Sequence, residues 1–244
     1  MSDPLPQGSV IGILGGGQLG RMLSVAAGRL GYRTHVYDPA PAPPAGDLAH
    51  AVTTAGWDDA AALAAFAAGC AVVTYEFENV PEAALDAVEA EAPVHPSRRA
   101  LAVSQDRLVE KAFLRDLGLA TADFAAVDDA PDLAEAIAEV GLPAILKTRR
   151  LGYDGKGQML LRDAEDLELA WRKLGEYPLI VEQWVAFDHE CSITAVRSSN
   201  GELRCWPVSR TWHRQGILRL ATSLPVADNC QRAAEKLVRM LAED

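Results

Sequence analysis

A glycine-rich turn near the start of the chain constrains the fold more than any other feature. Val10 to Leu14 form a short apolar run that stops at Gly15-Gly16-Gly17, and Gln18 to Leu30 then carry apolar residues at helical spacing. This order predicts a buried strand, a tight turn and a helix that Gly31 ends. A chain with this beginning favours an α/β sheet of parallel strands.

The next elements extend that pattern. Arg33 to Tyr37 form a β-branched and aromatic run, Ala60 to Ala68 are Ala-rich and helical, and Ala71 to Tyr75 form a further buried strand. The stretch from Ala40 to Gly46 is predicted as loop, because each Pro fixes φ and lacks an N–H donor. We therefore expect a β-α-β-α-β order with right-handed crossovers.

The second part of the chain has a different organisation. Pro93 and Pro96 mark a predicted boundary, with a Rossmann-like parallel-sheet domain over residues 1–95 and an α+β domain over residues 96–244. A helix is predicted over Asp106 to Leu117, with Ser104 as its cap. Short strands separated by turns then favour an antiparallel sheet. These strands are predicted over Ala144 to Thr148, Gly157 to Leu161, Leu179 to Gln183, Glu190 to Arg197 and Leu203 to Val208, with helices after Asp129 and over Glu165 to Leu174.

The composition argues against several functional classes. Apolar residues make up 49% of the 244, and 23 basic against 34 acidic side chains give a net charge of −11. An acidic surface repels phosphate polymers and anionic membranes, so we expect neither nucleic acid nor membrane as a partner. No apolar stretch approaches the roughly 20 residues of a spanning helix, and a cytoplasmic protein is expected. The four cysteines lie far apart without metal-ligand spacing, so they predict no metal site.

The glycine turn also fits a ligand-binding motif. Gly15 to Gly20 match G-x-G-x-x-G directly after a strand, and Asp38 follows Gly20 by 18 residues at the end of the next strand. Such a turn lets backbone N–H groups approach an anion at a helix N-terminus. Three interpretations stay open: the NAD(P) site of an oxidoreductase, a purely structural turn, or a site for another small ligand.

A second group of residues points to nucleotide chemistry. Lys147 ends an otherwise apolar strand, where an ammonium is costly to bury without an anion; an exposed strand end is the alternative. Arg149 to Gln158 combine three glycines with three cations in one turn, which suits a loop that covers a polyphosphate. Glu182, on a later apolar strand, would pair with Lys147 or accept from an adenine amino group, and Glu190 would take ribose hydroxyls.

The ordered set of lysine, glycine loop, E-x-x-V and glutamate resembles the ATP-grasp superfamily, in which two α+β subdomains close on ATP and an acyl phosphate is made. The loop sequence G-Y-D-G-K-G-Q narrows the resemblance, since Tyr153 and Asp154 distinguish this loop from the loops of biotin carboxylases and the formate-using transformylase. With G-G-G-Q-L-G-R-M, Y-E-F-E-N-V and W-H-R-Q-G-I-L-R, the chain resembles the bicarbonate-fixing ligases of purine biosynthesis over essentially all its length. The resemblance implies a pre-ATP-grasp domain followed by an ATP-grasp domain with its small lid subdomain.

The resemblance assigns the nucleotide contacts residue by residue. Arg107 and Lys147 would contact the ATP phosphates, and the glycine loop would cover them. Glu182 and Val185 would frame the adenine, and Glu190 the ribose. The implied nucleotide set is Arg107, Lys147, Gly152, Tyr153, Asp154, Gly155, Lys156, Gly157, Gln158, Glu182, Gln183, Trp184, Val185, Glu190 and, on the phosphate side, His213.

The resemblance also assigns the substrate side. Tyr153, Asp154 and Lys156 would be the catalytic group facing the ribonucleotide, with Asp154 handling a proton. Glu76 or Glu78 would bind the substrate amine, since a two-residue spacing on an extended segment puts both on one side. The implied substrate set is completed by Gly17, Gln18 and Leu19.

The implied reaction is ATP-dependent carboxylation of 5-aminoimidazole ribonucleotide. Bicarbonate would attack the γ-phosphate to give carboxyphosphate, which would release CO2 beside the 5-amino group while a base removes a proton. The resemblance further implies Mg2+, with acidic ligands beyond the region matching Asp244, and a homodimer through the first domain. A C-terminally incomplete enzyme is therefore expected, and a nucleotide-binding fragment without turnover is an alternative alongside the oxidoreductase.

Overall fold

The polypeptide divides into two units just before its fifth helix. The computed structural model describes residues 4–152, 155–214, 216–223 and 228–243. One unit ends at Gln105 and the other begins at Asp106. This division lies one helix after the boundary predicted from the prolines, because Leu101 is fully buried in the first core and the Gln105 side chain donates to the Val80 carbonyl at 2.6 Å.

The first unit is built on a parallel sheet of four strands. Its strand order is β3-β2-β1-β4 and every pair is parallel, which confirms the predicted α/β arrangement. The elements are β1 (Val10–Leu14), α1 (Gln18–Arg29), β2 (Arg33–Tyr37), a 3₁₀ helix (Pro44–Asp47), β3 (Ala51–Thr53), α2 (Ala60–Ala68), β4 (Val72–Tyr75), α3 (Ala84–Glu89) and α4 (Arg98–Ser104).

The core of this unit fixes the ends of β1 and β2. Leu14, at the last position of β1, is completely buried with Tyr37 and Phe66. The Tyr37 and Phe66 rings meet edge to face with centroids 5.5 Å apart, a favoured aromatic geometry. The loops that follow β1 and β2 therefore start from buried, well-packed positions at one edge of the sheet.

The second unit begins with an antiparallel sheet, as the pattern of short strands predicted. Its strand order is β5-β8-β6-β7, with all three pairs antiparallel. The elements are α5 (Arg107–Asp116), β5 (Phe124–Val127), α6 (Ala130–Val140), β6 (Ala144–Thr148), β7 (Gln158–Leu161), α7 (Asp166–Leu174) and β8 (Leu179–Gln183).

The alternation of side chains along β6 gives this sheet two different faces. Ala144 and Leu146 are buried in the apolar cluster that α6 and α7 form on one face. Ile145 and Lys147 lie on the other face, where their strand neighbours on β8 are Glu182 and Ile180. We call this second face, defined by Ile145, Lys147, Ile180 and Glu182, the lysine face.

Further antiparallel strands and a helix complete the described part of the second unit. They are β9 (Glu190–Ser192), β10 (Ala195–Arg197), β11 (Leu203–Cys205), β12 (Ser209–Arg214), β13 (Ile217–Thr222) and α8 (Asp228–Glu243). The prediction of one strand over Glu190 to Arg197 is wrong, because β9 pairs with β12 whereas β10 pairs with β11. Within the described ranges, no helix has the length and apolarity that a bilayer crossing requires.

The cap of α5 also differs from the prediction. Asp106 caps this helix instead of Ser104, and its Oδ1 accepts from the backbone N–H groups of Leu108 and Val109 at 2.9 and 3.4 Å. Ser104 belongs to the preceding helix. An aspartate directly before the first turn satisfies the free donors of a helix N-terminus, so the same cap rule applies two residues later.

Candidate functional site

The glycine turn of the first unit is closed by an acidic side chain. Glu76 accepts from the backbone N–H of Gly17 and of Gly20, both at 3.1 Å. Gly15 has φ +98°, and a Cβ there would lie 2.5 Å from the Glu76 side chain. Only glycine fits this position, and the Glu76 carboxylate lies where the positive end of the α1 dipole favours an anion.

Asp38 is engaged in the same turn. Its two oxygens accept from the backbone N–H of Gly16 and of Ala40, each at 2.7 Å. A dinucleotide pyrophosphate at this helix N-terminus would have to displace Glu76, and Asp38 would have to leave two hydrogen bonds to reach a ribose. The geometry therefore favours a structural turn over the NAD(P) interpretation.

The two glutamates predicted to bind the substrate amine do not share one side of an extended segment. The chain bends directly after β4, so Glu76 reaches the α1 N-terminus while Glu78 is exposed and accepts from the Asn79 side chain at 3.2 Å. Gln18 and Leu19, at the start of α1, are exposed. Substrate contact by these residues stays a prediction.

The lysine face of the second unit brings two predicted nucleotide residues together. Lys147 Nζ donates to Glu182 Oε2 at 2.9 Å, although the residues are 35 positions apart in sequence. Glu182 is only 6% exposed. The interpretation of Lys147 as an exposed strand end is therefore wrong, and the pairing of Lys147 with Glu182 is confirmed.

Glu182 keeps one oxygen without a partner. Its Oε1 is buried and has no hydrogen-bond partner among the described residues. An unsatisfied buried acceptor costs about 1–3 kcal/mol, so its occurrence in a native protein calls for an explanation such as a catalytic role, a bound ion or a water. A ligand N–H donor would satisfy it, which is the chemistry of an adenine amino group.

The glycine loop begins at Arg149, directly after β6, and is closed at its base. Thr148 N–H donates to the Gly157 carbonyl at 2.8 Å. Gly157 has φ +67°, and a Cβ there would lie 2.6 Å from Thr148 Oγ1. Gln158 then starts β7 opposite Lys147. Tyr153 and Asp154, two of the three predicted catalytic residues, lie outside the described residues. Lys156, the third, is exposed, and Gly155 has positive φ.

Arg107 braces this loop through backbone carbonyls. Its guanidinium donates to the carbonyls of Thr148 at 2.9 Å and Gly152 at 2.6 Å. These contacts fix the start of the loop relative to α5. The predicted phosphate contact of Arg107 would use other donors of the same guanidinium, which has five.

An ion pair next to this brace also joins the start of the loop to α5. Arg149 donates to Asp106 over 2.8–3.1 Å. Burial opposes ionisation of Asp106, but the Arg149 guanidinium and the capped backbone N–H groups outweigh it and hold the pKa of Asp106 below its ordinary value. Both residues line a cavity of about 570 Å³ beside the base of the loop, together with Tyr177 and Pro178.

The remaining predicted residues lie at the end of β8, directly after it, and on β9 and β12. The Gln183 and Trp184 backbone N–H groups donate to the carbonyls of Asp123 and Pro143, and Trp184 and Val185 expose 44% and 47% of their area. Glu190 and His213 are brought together, with Oε2 and Nδ1 2.7 Å apart on paired strands. A ribose or phosphate contact by either of them stays a prediction.

Lys111, which contacts the lysine face from α5, was not among the predicted site residues. Lys111 Nζ lies 3.3 Å from Glu182 Oε2, so two ammonium groups converge on one carboxylate oxygen. The signal was present in the sequence, because Arg107, Lys111 and Arg115 recur every four residues on the predicted helix and therefore share one face. Among the residues with described positions, no cluster of three or more His, Cys, Asp or Glu is arranged to hold a metal ion.

The fold and the lysine face define the class of protein. Residues 112–244 match the family model of the ATP-grasp domain, and residues 9–105 match that of the ribonucleotide synthetase preATP-grasp domain. The chain is 43% identical, over 97% of its length, to the N5-carboxyaminoimidazole ribonucleotide synthase of Brucella melitensis, of which it covers 67%.

Solved structures agree with this assignment. A N5-carboxyaminoimidazole ribonucleotide synthetase in complex with ADP matches 100% of the chain at a TM-score of 0.94 and 36% identity. The Aspergillus clavatus synthase in complex with ADP and 5-aminoimidazole ribonucleotide matches 97% at a TM-score of 0.87 and 28% identity. The chain belongs to the N5-carboxyaminoimidazole ribonucleotide synthase family. It spans 65% and 63% of the two crystallised chains, which is somewhat less than two thirds of their length.

Proposed function

We propose that this protein carboxylates 5-aminoimidazole ribonucleotide with bicarbonate at the expense of ATP, and that the nucleotide binds on the lysine face. The observation that carries the proposal is the buried, partnerless Oε1 of Glu182 beside Lys147, whose strand leads into the glycine loop. An adenine amino group donates to a carboxylate, and an ammonium binds a phosphate. Both contacts are thus available on one sheet face, and the family includes synthases crystallised with ADP and the ribonucleotide.

In the proposed reaction a bicarbonate oxygen attacks the γ-phosphorus, and the bond to the ADP oxygen breaks. The resulting carboxyphosphate splits into CO2 and phosphate. The 5-amino group then attacks CO2, forming the N–C bond and losing one proton to a base. Positioning and charge neutralisation supply most of the acceleration in phosphoryl transfer. Lys147 would hold the phosphates, Arg107 and the loop glycines would keep the loop over them, and Asp154 is the proposed base.

Among the described residues, no group of three or more His, Cys, Asp or Glu side chains is arranged to hold Mg2+. The part of the described residues in the reaction is to bind and orient the nucleotide. The ion that accompanies ATP would neutralise phosphate charge, with ligands from outside the described residues.

The test is phosphate release by the purified chain with ATP, Mg2+ and bicarbonate, with and without 5-aminoimidazole ribonucleotide. We expect release that the ribonucleotide stimulates, and one 18O atom in the released phosphate when the bicarbonate is labelled with 18O. Stimulated release without label would contradict the carboxyphosphate step. A folded chain that binds ATP and releases no phosphate would instead be the nucleotide-binding fragment.

The oxidoreductase alternative makes an opposite prediction. Titration with millimolar NADH should leave the cofactor fluorescence unchanged, because Glu76 and Asp38 already use the backbone donors of the glycine turn. Tight NADH binding would contradict this assignment of the turn.

A homodimer through the first unit is part of the proposal. The exposed apolar side chains of α1 support it, since Leu19, Met22 and Leu23 expose 56%, 65% and 40% of their area on one helix face. Light scattering after size exclusion should give twice the chain mass, and Met22→Glu should give a monomer. The cytoplasmic location expected from the sequence stays a prediction.

A further inference from the structure

Two lysines converge on a single carboxylate of the lysine face. Lys147 Nζ and Lys111 Nζ lie 2.9 and 3.3 Å from the same Oε2 of Glu182. All three side chains are largely covered, with exposures of 22%, 17% and 8%. One carboxylate needs one counter-ion, so the three side chains together carry one excess positive charge.

The two lysines have different surroundings. Lys147 stands one residue before the base of the glycine loop, and its strand partner Gln158 directly follows that loop. Lys111 stands on α5, one turn after the Arg107 brace, with its ammonium 5.9 Å from the centre of the Phe124 ring. Lys147 is therefore the lysine next to the polyphosphate-binding loop, whereas Lys111 stays on the helix side of Glu182.

Withdrawing Lys147 from Glu182 has an electrostatic consequence. A carboxylate on a side chain that is only 8% exposed is strongly destabilised when its charge is left uncompensated. If a phosphate attracts Lys147, another cation must already be in place for Glu182. Lys111 meets this requirement, because it contacts the same oxygen from the opposite element.

We propose that Lys111 is the resident counter-ion of Glu182, which keeps this carboxylate neutralised while Lys147 turns to a nucleotide phosphate. Lys111 is thus a positioning residue that acts through Glu182 and does not itself touch the nucleotide. The inference rests on the proposed binding of ATP to the lysine face. It explains why the chain places two ammonium groups where the carboxylate needs one.

The test compares ATP with adenosine on Lys111→Met. ATP affinity, measured by titration calorimetry, should fall at least tenfold, because Lys147 must then leave Glu182 unpaired. Adenosine has no phosphate to attract Lys147, so its affinity, measured by saturation-transfer NMR, should change less than twofold. Lys111→Arg should restore ATP binding, and Lys173→Met, an exposed lysine in the last turn of α7, should change neither ligand.

A second pair of variants tests the route through Glu182. In a Glu182→Gln background, Lys111→Met should weaken ATP less than twofold, since no buried charge remains to neutralise. If Lys111→Met lowers the melting temperature strongly, Lys111→Gln carries the same prediction, because its amide can donate to Oε2 without a charge.

Each outcome decides the inference. If Lys111→Met weakens the affinity for ATP and for adenosine equally, Lys111 maintains the shape of the adenine pocket, and the counter-ion role is overturned. Unchanged affinity for both ligands would overturn it as well. A folded wild-type chain that binds no ATP would refute the proposed nucleotide site itself, a result distinct from these two.

Discussion

Replacing Lys147 by Met should separate nucleotide binding from folding. The variant loses one charge-assisted hydrogen bond, at 2.9 Å, of a class that contributes about 1.5–3 kcal/mol. Lys111 remains 3.3 Å from the same carboxylate oxygen, so the free energy of unfolding should fall by only about 1.5 kcal/mol, at the lower end of that range. For a chain of this size the melting temperature should then fall by about 3–6 °C.

ATP binding should suffer more than the fold. A phosphate contact of about 1.5–3 kcal/mol corresponds to a loss of roughly 10- to 150-fold in affinity. Titration calorimetry with ATP measures this loss, differential scanning calorimetry measures the melting temperature, and Lys173→Met is the matched control. A folded Lys147→Met variant that binds ATP within threefold of the wild type would refute the phosphate role of Lys147.

Three further perturbations probe the loop base, the α5 cap and the first core. Gly157→Ala should destabilise the protein by about 1 kcal/mol more than Gly118→Ala, as urea unfolding of both variants would measure. Both glycines have positive φ, but only at Gly157 would an added Cβ meet a neighbour within 4 Å. Asp106→Asn should lower the free energy of unfolding at neutral pH, and its difference from the wild type should shrink as the pH falls below about 4, because the stability that comes from a lowered carboxyl pKa is lost in acid. A difference that does not change with pH would contradict the pairing with Arg149. Burial raises the pKa of the Cys70 thiol to about 11, so the rate of its alkylation, measured by mass spectrometry, should rise about tenfold per pH unit from pH 8 to 10. A rate that levels off near pH 9 would contradict the raised pKa.

The elements with strong local patterns were predictable. β1, β2 and α2 carry clear periodicity or β-branched runs, and their order alone predicts the parallel sheet. The lysine and glutamate of the lysine face were also predictable, because a charged residue on an apolar strand requires a partner.

Features that depend on tertiary contacts were not predictable. β3 has only three residues, so it shows no alternation, and it exists because β2 offers a free edge. The bend after β4 brings Glu76 to the α1 N-terminus, where it accepts from the backbone N–H groups of Gly20 and Gly17, which lie 56 and 59 positions earlier in the sequence. Lys111 was visible as part of a cationic helix face, but its carboxylate partner was not.

Arg107 illustrates a different limit. The resemblance assigns it to phosphates, whereas the structure has it bonded to two carbonyls at the start of the glycine loop. A guanidinium has five N–H donors and can contact both the carbonyls and a phosphate. Residue type and spacing therefore do not determine which of these contacts Arg107 makes.

Hydrogen exchange with and without ATP tests the location of the nucleotide site most directly. We expect slower exchange in peptides covering residues 144–161 and 179–185, where the lysine face and the loop base lie, and unchanged exchange in residues 9–20. Protection centred on residues 9–20, with none in the second unit, would contradict nucleotide binding on the lysine face and assign the nucleotide to the glycine turn.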